Sequence, residues 1–205
     1  GRLHTGPSYY NPAFVAELAK LKPGFEVYLQ FDSMQRAALE NIRGADLRKV
    51  REQALAALEG AGISTTLVCV VKKGVNDAEI GDIVRHALTF KCVRGITFQP
   101  VQDAGRNEGF NKNTDRMLLT DIRCEIASQA GEVFGREDII PLPCNPDSIP
   151  IAYGLRDGTT VTPITTLIPH NELRAIPPNP VSFEKYPARA HRPLTLLPLA
   201  SPVGP

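Results

Sequence analysis

Three phrases constrain the fold of this chain more than any other feature: EVYLQFDS at 26–33, TTLVCVVKKGVNDAEI at 65–80 and RGITFQPVQDAGR at 94–106. Each opens as a short, mostly apolar run with little alternation, as a strand covered on both faces does, and ends in polar residues. Helix-like stretches separate them. That order folds as a parallel α/β sheet, in which ligands gather at the carboxyl ends of the strands. Those ends carry Gln30, Asp32, Ser33, Lys72, Lys73, Asn76, Gln99 and Gln102.

The intervening pattern fits. Residues 12–21 read as a helix with Asn11 as N-cap and Pro12 in its first turn, and Pro23-Gly24 stops it before a strand over 25–32. Residues 46–61 form the clearest helix, with Leu47, Val50, Ala54, Leu55 and Leu58 on one face. A strand over 63–71 follows, then a helix over 78–89 capped by Asp77, with Ile80, Ile83, Val84, Ala87 and Leu88 turned inward. The third strand is 95–100, and a helix lies near 114–130. Strand–helix–strand alternation calls for right-handed crossovers. Three strands are too few to close a barrel, so residues 1–130 read as an incomplete parallel β/α barrel whose first strands lie ahead of residue 1.

Beyond 131 the character changes. Residues 131–176 read as an extension in which IPIAYGL and TVTPITTL form a hairpin around Asp157-Gly158. The Pro-rich stretch 177–205 reads as an extended or disordered tail.

Composition narrows the classes. A net charge of +1 over 205 residues offers no electrostatic case for nucleic acid. No apolar run reaches the roughly 20 residues of a membrane span, and the opening GRLHTGPSYYNP lacks a signal-peptide layout. The four cysteines, Cys69, Cys92, Cys124 and Cys144, form no CxxC pair, which fits a reduced, cytoplasmic protein better than a zinc knuckle or a disulfide scaffold. Neither a GxGxxG nor a Walker-type phosphate loop is present.

These residues resemble a family. EVYLQFDS looks like the fourth barrel strand of radical S-adenosylmethionine (radical SAM) enzymes, ENIRGADL like the Ile-Arg-Gly phrase after it, VVKKGVNDAEI like the fifth strand and its loop, and ITFQP like the sixth. The ordered set covers 25–106. With PLPCNPDS and VTPITTLI included, the likeness is to the tetraether lipid synthase and hydromethylpterin dimethyltransferase-like subgroup. The resemblance implies the C-terminal half of a TIM-barrel-like enzyme that reductively cleaves S-adenosylmethionine to a 5′-deoxyadenosyl radical. A [4Fe–4S] cluster would take part, a lipid or pterin-type molecule would be the substrate, and a ferredoxin or flavodoxin would supply the electron. The family's CxxxCxxC, which holds three cluster irons, is absent from these residues. The alternative is a non-catalytic binding module of the same fold.

The same resemblance puts Gln30, Asp32, Ser33, Arg43, Asn76, Gln99 and Pro100 against the cofactor and offers Cys144 as a metal ligand. Plainer roles stand beside each. Asp32 can bond its own loop, Asn76 can cap the following helix, and Arg43 can pair with Asp46. Gln99, if buried, can use water or a backbone carbonyl in place of an adenine edge. Cys144 can be an idle thiol. No histidine–carboxylate arrangement marks a triad.

Overall fold

A computed structural model describes residues 2–4, 11–22, 24–103, 109–141, 150–175 and 193–198. Three neighbouring parallel strands form its centre: β2 (Glu26–Gln30), β3 (Thr65–Val71) and β4 (Val93–Pro100). Residues Arg2–His4 add a further parallel strand, β1, beside β2. On the other side β4 pairs in parallel with β8 (Pro193–Pro198), a segment the sequence placed in an extended or disordered tail. Antiparallel strands β6 (Pro150–Asp157), β5 (Ile140–Pro141) and β7 (Thr160–Pro163) finish the sheet, in the order β1-β2-β3-β4-β8-β6-β5 with β7 on β6. The two residues between β6 and β7 are Gly158 and Thr159, one position later than the sequence suggested. Gly158 takes φ +60°, which glycine adopts without penalty.

Helices α1 (Pro12–Ala19), α3 (Arg48–Gly60), α4 (Ile80–Thr89) and α5 (Leu119–Gln129) follow the expected order with trimmed ends. Asn11 caps α1 as expected, its Oδ1 accepting the Ala13 N–H at 3.0 Å. Helix α2 (Arg36–Arg43) was not foreseen. It is only eight residues long, has no side-chain cap at Gln35, buries Ala38 and Leu39, and stops at Gly44 with φ +75°. A short helix, α6 (His170–Ala175), closes the described extension.

The sheet has two different faces. One side of each central strand supplies Val27, Leu29 and Phe31, then Leu67, Cys69 and Val71, then Ile96 and Phe98, all packed with Leu55, Leu58, Ile80, Ile83, Val84, Ile122 and Ile126 from the helices. The opposite side presents Tyr28 and Gln30, Thr66, Val68 and Val70, and Gly95, Thr97 and Gln99, as the registers Tyr28↔Thr66↔Gly95 and Val68↔Thr97 require. This second face is markedly more polar.

Helices α4 and α5 touch closely at Gly81. A Cβ built there would lie 2.5 Å from the Gln129 carbonyl oxygen and 2.7 Å from Gln129 Cβ. Gly81→Ala is therefore expected to cost about 1–3 kcal/mol through overpacking, read as a lowered denaturant midpoint. An unchanged midpoint would mean that the two helices separate freely.

Candidate functional site

The loop after β2 is the most heavily tied segment at the carboxyl edge of the sheet. Asp32 sits there with φ +59°, a conformation few non-glycine residues adopt, and its side chain is fully buried. Its carboxylate accepts five hydrogen bonds. Oδ1 takes Gln30 Nε2 at 2.7 Å, Arg43 Nη2 at 2.9 Å and the Val70 N–H at 3.0 Å. Oδ2 takes Arg43 Nε at 2.8 Å and Arg51 Nη2 at 2.6 Å. Burial alone would push this carboxyl up. The Arg43 hydrogen bond, the Arg51 and Arg43 charges and the Val70 N–H outweigh it and hold the group below the usual carboxylate range. A carboxylate so saturated is a structural pillar rather than a base or a metal ligand.

Asn76 stands at the N-cap of the 3-10 turn Asp77–Glu79, but its side chain makes no cap bond there. Its Nδ2 donates to the Asp32 carbonyl at 2.9 Å and to the Val70 carbonyl at 2.7 Å, and its Oδ1 accepts the Lys72 N–H at 2.8 Å. The side chain thus ties the loop after β2 to the end of β3. Asp77, expected as the helix cap, instead accepts the Gly74 N–H at 2.8 Å. Arg43 pairs with Asp32, whereas Asp46 pairs with Arg48 at 2.8 Å.

The structure therefore gathers Gln30, Asp32, Arg43 and Asn76 into one network. Ser33 belongs to its margin, where its hydroxyl donates to Glu79 and the Met34 N–H donates to the same carboxylate at 3.1 Å. Gln99 and Pro100 lie at the end of β4, with Val70↔Gln99 and Val71↔Pro100 in register, and no hydrogen bond recorded among the described residues joins them to the network. Lys72 Nζ reaches Asn41 Oδ1 of α2 at 3.0 Å, and Lys73 is exposed. Cys144 lies outside the described residues.

Two participants escaped the sequence reading. Arg51, buried at 5% exposure, also donates to the Phe31 carbonyl. Its spacing of three and four from Ala54 and Leu55 places it on the inner face of α3, and that was the available signal. Leu47 and Val50, expected on this face, are only half-buried. Glu79 is buried at 2%, and burial raises its carboxyl despite the Ser33 and Met34 bonds; nothing in its local sequence distinguishes it from a solvated helix-start acid.

On the second face of the sheet the Thr97 hydroxyl is sealed from solvent and meets no hydrogen-bond partner among the described residues. A buried hydroxyl left so costs roughly 1–3 kcal/mol. Metal ligation is another matter. No group of three or more His, Cys, Asp or Glu residues among the described residues could hold a metal ion. Burial pushes the Cys69 thiol far up; burial and the Glu59 carboxylate push Cys92 up to about 12. Cys124 is exposed, on α5. Thiols so dispersed, two of them buried, do not suit an iron–sulfur cluster. No helix among the described residues is long and apolar enough to cross a membrane.

No protein-family model matches the chain. Among curated proteins it is 32% identical over 119 residues to a 7,8-dihydro-6-hydroxymethylpterin dimethyltransferase of Methanocaldococcus jannaschii. The match takes in 57% of this chain and 24% of that relative, so the chain spans about a quarter of the relative's length.

Proposed function

We propose that this chain forms the carboxyl-terminal part of a radical SAM catalytic barrel, with β2, β3 and β4 as its fourth to sixth strands. One observation carries the reading. The three phrases that resemble the family lie on adjacent parallel strands, and these direct a polar face to the side away from the helices. The similarity to the pterin dimethyltransferase supports it.

S-adenosylmethionine supplies the radical chemistry when bound, through its reductive cleavage. This chain's part is to seat and orient it. Gln99 offers an amide from the second face, Arg43 a guanidinium and Pro100 an apolar edge, and Gln30 braces Asp32 beside them. Asp32, Ser33 and Asn76 hold the loop that carries this arrangement. The substrate is a lipid or pterin-type molecule, a ferredoxin or flavodoxin is the reductant, and the setting is cytoplasmic. The described thiols do not fit a [4Fe–4S] cluster, so its ligands lie elsewhere, with Cys144 as the candidate within this chain. The second reading is a binding module of this fold without a cluster.

The test compares purified residues 1–205 with a longer polypeptide carrying a CxxxCxxC segment ahead of residue 1, under anaerobic, reducing conditions. The shorter protein is expected to hold sub-stoichiometric iron and to form no 5′-deoxyadenosine, and the longer one to do both. Stoichiometric cluster and turnover in the shorter protein would overturn the assignment. An iron-free longer protein would establish the module instead.

A further inference from the structure

On the helix side of the sheet a cavity of about 460 Å³ opens between α4 and the start of α2. Its walls include Met34 and Gln35 ahead of α2, Glu79 of the turn Asp77–Glu79, and Asp82, Arg85 and His86 of α4. The α4 residues stand three and four positions apart, which puts them on one stripe of the helix.

Glu79 is the group in this wall whose charge is unmatched. It is 2% exposed, and its carboxylate meets only neutral donors, the Ser33 hydroxyl and the Met34 N–H at 3.1 Å. No ion pair reaches it among the described residues. Both cations of the wall are committed elsewhere. Arg85 gives Nη1 to Asp82 and Nε to Glu132, each at 3.0 Å, and Nη2 to the Gln129 carbonyl. His86 stacks on the Phe31 ring, and its Nε2 lies 3.5 Å from Glu52 Oε2 on α3, so a proton gained there is matched by Glu52. A buried carboxylate without a cation is costly. Burial, and then the Asp82 charge, raise this carboxyl against the Ser33 and Met34 bonds. An ionised carboxylate offers about four lone-pair sites, so both Glu79 oxygens have room for a further donor. Met34, 37% exposed in the same wall, adds a thioether and methyl surface that suits an alkyl chain.

We infer that this cavity binds a small organic amine in its ammonium form, with Glu79 and Asp82 meeting the charge and Met34 the alkyl stem. The site lies across the sheet from the face proposed for S-adenosylmethionine and does not depend on that reading.

Methionine methyl NMR of residues 1–205 tests it directly. The sequence holds two methionines, Met34 in the cavity wall and Met117, which is 4% exposed in the core and outside that wall. Met34→Leu assigns the two signals. The probes share one stem and differ in charge: butylammonium, butyrate and butanol, each titrated at constant ionic strength. Butylammonium is expected to shift the Met34 signal saturably and to leave Met117 in place, while butyrate and butanol shift neither. Glu79→Gln keeps an oxygen for the Met34 N–H and should weaken butylammonium about tenfold, the scale of a hydrogen bond to a charged group. Asp82→Asn should weaken it less. Glu17→Gln, on α1 and paired outward with Lys20, should change nothing. Circular dichroism checks that each variant is folded, and Asp82→Asn decides the matter if Glu79→Gln is not. A Met34 signal that moves equally with all three probes, or with none, would overturn the inference. So would equal butylammonium affinity in the parent and in the folded acid-to-amide variants.

Discussion

Asp32→Ala is expected to destabilise the protein by about 3–5 kcal/mol, because it leaves the buried Arg51 guanidinium without its carboxylate. The Val70 N–H and the Arg43 fork lose their acceptor at the same stroke. Urea denaturation measures the loss. Adding Arg51→Met to the Asp32→Ala background should recover part of it, since an apolar side chain of similar length removes the stranded charge. The difference between parent and Asp32→Ala also depends on pH. The folded-state pKa of Asp32 is depressed below its ordinary 3.8, so its contribution is complete above that value and disappears as pH falls through the folded one. The gap between the two proteins should therefore be full at neutral pH and shrink in acid. A gap under about 0.5 kcal/mol at neutral pH, the scale of an ordinary surface substitution, would refute the pillar role.

Asn76→Asp is expected to cost nearly as much, about 3 kcal/mol at neutral pH, although it changes one atom. The amide nitrogen donates to two carbonyls, those of Asp32 and Val70. A carboxylate oxygen there strands both and repels them, each unmet group costing roughly 1–3 kcal/mol. Protonation would restore a single donor, so the introduced carboxyl should titrate above its usual range and stability should recover as pH falls. Asn76→Ala should be milder than Asn76→Asp. If Asn76 served mainly a ligand, both variants would leave the ligand-free protein's stability unchanged, and that result would return the residue to the cofactor role.

Legibility differed between elements for physical reasons. The strands read clearly because a strand buried on both faces needs a continuous apolar run, and 65–71 (TTLVCVV) has one. Helix α4 read clearly because Ile80, Ile83, Val84, Ala87 and Leu88 repeat at helical spacing, and all five are buried. Helix α2 did not, since it spans only eight residues and Gln35 at its start makes no side-chain cap bond. Strand β8 did not, because its pairing with β4 joins residues about a hundred apart, as in Gly95↔Thr195.

For the candidate site, the sequence by itself determined only which edge of the sheet its polar residues share. Parallel strands point their carboxyl ends the same way, so polar residues after β2 and β3 must share one edge, and Gln30, Asp32 and Asn76 do. Only the tertiary structure decided what those residues do there. Asp32 lies 11 residues from Arg43 and 19 from Arg51 along the chain, and Asn76 lies 44 from the carbonyl it holds. Local sequence ranks Asp and Asn at a turn as caps, because the nearest backbone N–H groups are the partners it can see. In the folded protein more distant groups compete for the same lone pairs and donors. The buried Arg51 and the buried carbonyls win, because leaving them unpaired away from water costs more than leaving a helix end open to it.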